Sequence, residues 1–192
     1  MEALLSKPIP RIKGASIDLC VVRTDEEAIA KYTRWISDEE ILPFLGRYNR
    51  VAQLDDEREW VKNVVKNTKD ISFNIVEKKT RNLIGNCSLR QKNRNYILGI
   101  LIGEKSARER GYGTEAVKML VDFAFQNLNA HRVCLSLAAD NTRAFNCYKR
   151  VGFVEFGREH ETDWYDGKWH DTLHMEILES NYYQKTRKEE QK

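Results

Sequence analysis

No long apolar run occurs in this sequence. None approaches the roughly 20 residues of a membrane-spanning helix, which predicts a chain with no membrane partner. Cysteine is scarce: the four present, Cys20, Cys87, Cys134 and Cys147, do not pair at metal-ligand spacing, and each sits in an apolar or helical setting. That argues against a zinc-finger or disulfide framework and predicts reduced, buried thiols in a cytoplasmic protein. His170 and His174 share one face of a strand, yet no third ligand stands near them in the sequence, so no metal site is expected. Excess charge of one sign is small: 32 Lys and Arg against 29 Asp and Glu leave a net charge of +3. Without a clustered basic face, that is too mild for a nucleic-acid partner. Met1 to Pro8 lacks a basic stretch followed by an apolar core, so no signal peptide is expected. Internal repeats and low-complexity tracts are also missing.

What is present fits one globular domain. A chain of 192 residues, 41% apolar and 32% charged, is long enough for a real core. Residues 1–14 read as a polar, proline-containing arm, 15–178 as a single domain, and 179–192 as a charged, frayed tail. Ile17 to Arg23 reads as the first strand. Thr24-Asp25-Glu26-Glu27 reads as a capping box with Thr24 as the cap. Ala28, Ile29, Tyr32, Trp35 and Ile36 then make one apolar helix face. Ser37 to Gly46 is a short element stopped by Pro43 and Gly46. Leu54 to Thr68 is a second helix, with Trp60, Val61, Val64 and Val65 inward and an acidic first turn at Asp55, Asp56 and Glu57.

Strands follow at Ile71–Glu77, Leu83–Gln91 and Tyr96–Ile102, and the short polar turns joining them imply an antiparallel meander. Thr114 to Asn127 is helical in period, with Val117, Leu120, Val121, Ala124 and Phe125 on one side. His131 to Ala138 alternates as a strand. Asp140 or Asn141 caps the next helix. Phe153–Thr162 and Lys168–Leu178 are late strands around Asp166-Gly167, a strong hairpin turn. The sum is a mixed α/β chain of the α+β type, with a largely antiparallel central sheet flanked by helices.

The chain is organised around Arg108-Glu109-Arg110-Gly111-Tyr112-Gly113, between a buried strand and a helix. Two glycines permit a tight turn. The first-turn N–H groups of the helix behind it point outward at the positive end of the helix dipole, which makes an anion site suited to phosphate. A plain connector is the competing reading. The stretch is neither a P-loop nor a dinucleotide fingerprint, because no Gly-Lys-Ser/Thr and no third glycine follow.

Arg-x-x-Gly-x-Gly after an apolar strand resembles the acetyl-CoA pyrophosphate loop of the GNAT N-acetyltransferase family. Asp140-Asn141-Thr142-Arg143-Ala144-Phe145-Asn146-Cys147-Tyr148-Lys149-Arg150-Val151-Gly152-Phe153 is similar to that family's second signature, Asn-x-x-Ala-x-x-x-Tyr-x-x-x-Gly-Phe. The resemblance covers Ile17 to Leu178 and is nearest the branch of ribosomal-protein alanine and spermidine acetyltransferases. It implies the GNAT acyl-CoA N-acyltransferase fold, in which the strand ending near Ile102 and the strand from His131 splay apart around the cofactor. It also implies acetyl-CoA as co-substrate, backbone of Glu109 to Gly113 on the pyrophosphate with Arg108 and Arg110 at the rim, and backbone of Ile100, Leu101 and Ile102 along the pantetheine arm.

Acetyl transfer to an amine needs a seat for the thioester, a neutral amine, a donor for the oxyanion and a proton for the leaving thiolate. By the resemblance, Tyr148 is the general acid, with simple packing beneath the cofactor as its alternative. Asn141 binds the cofactor arm, caps the helix, or does both. Phe145 and Phe153 read as core, and Arg143 as either a CoA phosphate contact or a surface residue. Relatives often carry a Glu at the position of Ile97, so that base is missing. Asp38, Glu39 and Glu40 are the acidic candidates at the acceptor site, against a plain solvated helix start, and a water relay is a further route. Their charge leans toward a cationic acceptor. Trp164, Tyr165 and Trp169 could line the acceptor site, form a homodimer contact, or pack on the sheet. The reading is therefore an N-acetyltransferase that moves acetyl from acetyl-CoA to a small-molecule or peptide amine by direct attack in a ternary complex. The alternatives are a non-catalytic acyl-CoA-binding module and a basic nucleic-acid-binding domain.

Overall fold

The structure, a computed structural model, describes residues 8–45, 53–67 and 69–190. Gly46 and Thr68, which the sequence reads as element ends, lie outside them. Among the described residues, eight strands follow the sheet order β1-β2-β3-β4-β5-β6-β8-β7. They are β1 (Pro10–Lys13), β2 (Ile17–Cys20), β3 (Ile71–Glu77), β4 (Leu83–Lys92), β5 (Asn95–Ile102), β6 (Arg132–Ala138), β7 (Val154–Tyr165) and β8 (Lys168–Leu178). The helices are α1 (Glu26–Ile36), α2 (Leu54–Lys66), α3 (Tyr112–Asn127), α4 (Thr142–Val151) and α5 (Glu179–Glu190), with 3-10 turns at Leu42–Leu45 and Lys105–Ala107. The residues gather into two compact units, Met1–Ser88 with Ile100–Ala116, and Leu89–Gly99 with Val117–Lys192.

In the first unit, α1 and α2 cover one face of the early strands. Cys20, Ala28, Ile29, Tyr32, Trp35, Ile41, Val61, Val76 and Leu83 form the core, with Trp60 and Leu101 against it. Of the residues read as the apolar face of α1, Ala28, Ile29, Tyr32 and Trp35 are buried, because 3.6-residue periodicity puts them on one stripe, and Ile36 at its end is half-buried. Three details depart from the reading. The α1 cap is Asp25, not Thr24: its Oδ1 accepts the Ala28 amide at 3.2 Å. Arg23 fixes that carboxylate with two bonds of 2.8 and 2.7 Å, which settles the helix start one residue later. Val65 is 63% exposed rather than inward. The end of the presumed arm is strand β1, antiparallel to β2, because its backbone completes the ladder at β2's open edge.

In the second unit, β6 pairs along its whole length with β8, and β8 pairs with β7. The parallel β5–β6 ladder runs from Asn95↔Arg132 to Ile97↔Cys134; among the described residues it stops there, although β6 continues to Ala138. Asp166 and Gly167 both have positive φ, at 51° and 73°, as a two-residue hairpin turn of the primed type requires. The tail read as frayed is helix α5 up to Glu190. Its anchor is Tyr182, stacked on Phe125 at 4.6 Å and donating to Asp122 at 2.9 Å. A charged composition does not reveal such a docked aromatic.

Candidate active site

The glycine stretch forms the expected strand-to-helix turn, in the first unit. After β5 the chain makes the short 3-10 turn and reaches Arg108 in extended conformation. Glu109 then has φ +63° and Gly111 φ +83°. Residues alternating into the left-handed region turn successive N–H groups toward one concavity, a backbone nest for anions. Helix α3 begins at Tyr112, and its first α-helical hydrogen bond runs from the Glu115 amide to the Gly111 carbonyl at 3.0 Å. Glu109, Arg110 and Gly111 are exposed, and Ile100, Leu101 and Ile102 are half-buried at the end of β5. The second glycine is inside the helix; a Cβ at Gly113 would meet Ile102 Cγ1 at 3.7 Å, an ordinary contact. Of the two glycines in this stretch, Gly111 therefore has the conformation that favours glycine.

Both arginines of the stretch have partners within the protein. Arg108 has a side chain only 7% exposed. Its guanidinium donates to Asp38 Oδ2 and Glu40 Oε2, both at 2.7 Å, and to the carbonyls of Ile102 at 3.3 Å and Gly103 at 3.0 Å. Arg110 lies 4.9 Å over the Tyr112 ring and pairs with Glu77 at 3.1 Å. Buried Glu77 also accepts from the Tyr112 hydroxyl and from Thr80, each at 2.5 Å. Thr80, then Tyr112, with Arg110 beyond them, hold the Glu77 carboxyl below its ordinary range, and the carboxylate in turn raises the Tyr112 phenol. Glu77 thus fixes the loop from beneath. Sequence reading missed it, because a strand-end Glu before a polar turn carries no local sign of a partner 35 residues on.

The three acidic candidates separate. Asp38 is half-buried and its carboxyl is held down chiefly by Arg108. Glu40 is held down chiefly by its contact with Lys105. Both are already neutralised within the protein, so they give a cationic acceptor little support. Glu39 is exposed.

Asn141 and Tyr148 belong to the second unit. Asn141 is the cap of α4: its Oδ1 accepts the Ala144 amide at 3.1 Å, which leaves the amide nitrogen as the donating end. Gly152, at φ 119°, closes the helix as a left-handed C-cap. Tyr148 is 8% exposed and lies 5.8 Å from the Phe153 ring, and burial raises its phenol above the ordinary value. Arg143 is exposed, Phe145 half-buried and Phe153 buried.

The histidine rings have other partners than a metal. His170 Nδ1 lies 2.8 Å from Asp140 and its ring stacks on Tyr165 at 3.4 Å. His174 lies between Ser136 at 2.8 Å and Glu159 at 2.7 Å. Trp164 and Trp169 face each other across the hairpin at 5.3 Å, each more than half exposed.

The strand–turn–helix at Arg108–Gly113 and the helix after Asn141 carry the two stretches that resemble the GNAT family, and comparison with known proteins supports that resemblance. The profile of the acetyltransferase (GNAT) domain matches residues 18–154. The chain belongs to the GNAT acetyltransferase family. It is 32% identical over 111 residues to the spermidine N(1)-acetyltransferase of Vibrio cholerae, covering 56% of this chain and 64% of that enzyme, just under two thirds of its length. It is 28% identical over 95 residues to the putative ribosomal N-acetyltransferase YdaF of Bacillus subtilis, covering 50% and 51% of the two chains. The structure of the Vibrio cholerae spermidine N-acetyltransferase in complex with CoA and spermine superposes with a TM-score of 0.77 at 22% identity, over 88% of this chain and 98% of that one. The fold is the GNAT fold, and CoA is the ligand of that neighbour.

Proposed function

We propose that this acetyltransferase moves the acetyl group of acetyl-CoA directly to a primary amine in a ternary complex. The Glu109–Gly113 backbone holds the pyrophosphate, Ile100 to Ile102 lie along the pantetheine arm, Asn141 donates to that arm, and Tyr148 protonates the departing thiolate. The observation that carries this reading is the pair of left-handed residues, Glu109 and Gly111, directly ahead of a 16-residue helix. It supports an anion seat built from backbone alone. The amine attacks the thioester carbonyl, the tetrahedral oxyanion collapses, the carbon–sulfur bond breaks, and the sulfur takes a proton from the phenol. The ammonium formed on the acceptor supplies the proton that restores Tyr148.

A polyamine stands first among acceptors and a protein N-terminus second, on the strength of the two relatives named above. Thiol release from acetyl-CoA with spermidine, spermine and an N-terminal peptide separates them. Turnover with the polyamines supports the first assignment, turnover with the peptide alone moves the enzyme to the second, and none with any amine overturns the reading. A cytoplasmic setting is supported by the buried thiols of Cys20 and Cys87, whose burial raises them, to about 11 for Cys20. A homodimer would have the exposed Trp164–Trp169 pair to bury, and sedimentation across protein concentration tests it.

A further inference from the structure

The end of α1 and the end of β5 are joined by an unusual density of specific contacts, all within the first unit. Glu104 receives Arg34 and the Trp35 indole N–H. Glu40 receives Lys105 and Arg108, and Asp38 receives Arg108. Gly103 lies against the Trp35 ring so closely that a Cβ there would fall 2.0 Å from Trp35 Cδ2. Arg108 is the centre of this joint. Its buried guanidinium grips two carbonyls at the end of β5 with one edge and two carboxylates of the Asp38–Ile41 turn with the other. That turn is itself tight: Asp38 accepts from the Glu40 amide through its side chain and from Ile41 and Leu42 through its carbonyl. A planar, five-donor cation is the one side chain that can serve four acceptors in two directions.

We propose that Arg108 is a positioning residue for the thioester arm rather than a phosphate ligand: it locks the Asp38–Ile41 turn onto the end of β5 and thereby holds Ile100–Gly103 in shape for the pantetheine. This rests on the acetyltransferase reading. The phosphates are left to the Glu109–Gly113 backbone, and the acidic turn serves as the arginine's anchor instead of a cation receptor. An arginine with four satisfied acceptors would have to give up two strong charge-assisted bonds to swing to a pyrophosphate.

The two halves of CoA separate the roles. Acetyl-pantetheine carries the arm without phosphates, and phosphorylated adenosine diphosphate carries the phosphates without the arm. Binding of each is measured by calorimetry to the wild type, to Arg108→Gln and to the double variant Asp38→Asn, Glu40→Gln. A positioning role predicts that both variants weaken acetyl-pantetheine about tenfold and leave the nucleotide half within about twofold. A phosphate-ligand role predicts the reverse for Arg108→Gln, a weakened nucleotide half with the arm intact. It also predicts that the double variant, by releasing Arg108, binds the nucleotide half more tightly. Either of those results overturns the proposal. So does equal weakening of both halves with a lowered melting temperature, which would mark a merely structural role. If the wild type binds neither half, the acetyltransferase reading falls instead.

Discussion

Tyr148 is the residue on which the proposed chemistry turns. Replacing it by Phe removes one oxygen and keeps the packing against Phe153. The expected result is a fall in kcat of about 100-fold, the usual scale of general acid catalysis, with acetyl-CoA affinity unchanged. Thiol release and a thermal shift with acetyl-CoA check the two halves of that statement, and an unchanged kcat would remove Tyr148 from the mechanism. Burial raises the phenol. The proton donor is therefore retained as pH rises past its ordinary value of about 10, so kcat has no alkaline limb from this group at or below that pH. At Gly103 the expectation concerns stability. Gly103→Ala drives a methyl into the Trp35 ring and should cost about 1–3 kcal/mol, the range for overpacking a tight contact, read from the urea midpoint. Tyr148 can be proposed from the sequence because its spacing from Asn141 resembles a signature. Gly103 was not legible there, since a glycine after a strand reads as punctuation and its crowding comes from a helix far back in the chain.

Element boundaries show the same division. Periodicity placed α1, α3 and β8 nearly to the residue, because their buried faces repeat with the helical or strand period, and β3 also lies where it was read, although its last five residues are buried on both faces. What it could not place was set by side chains acting across space. Asp25 displaced Thr24 as the cap of α1 because Arg23 grips it, and α5 exists where the composition alone suggests fraying. Asp25→Ala should therefore cost about 1–2 kcal/mol, near the upper range for a lost cap, measured by urea denaturation. Its pH dependence follows in sign. Hydrogen bonding from Arg23, with the Ala28 amide adding to it, lowers the folded-state carboxyl. Its contribution is then complete above the unfolded value near 3.9 and is lost as pH falls below that toward the depressed folded value. Asp25→Asn should lack this acid-dependent part, so the gap between wild type and variant narrows below about pH 4.

At the scale of the whole chain, the fold could be read from two short motifs because both are built on backbone demands: a left-handed turn before a helix, and an Asn cap with a Gly stop around a ten-residue helix. The ion-pair partners of those motifs could not, because Asp38, Glu40 and Glu77 become partners of the loop only once the chain has folded. Acetyl-CoA bound only by the folded chain should raise stability by about 2.7 kcal/mol at a hundredfold excess over its Kd. The increment should depend on the nest. Gly111 has φ 83°, and a methyl on its Cα would have nothing within 4 Å, so Gly111→Ala meets no clash and bears only the left-handed backbone cost of about 1–2 kcal/mol. If the backbone of this turn seats the pyrophosphate, relief of that strain rotates the N–H groups out of the concavity. The variant then shows a small loss of stability without ligand and a much smaller gain with it. A full gain in Gly111→Ala would mean that the turn is a connector and that the phosphates are held elsewhere.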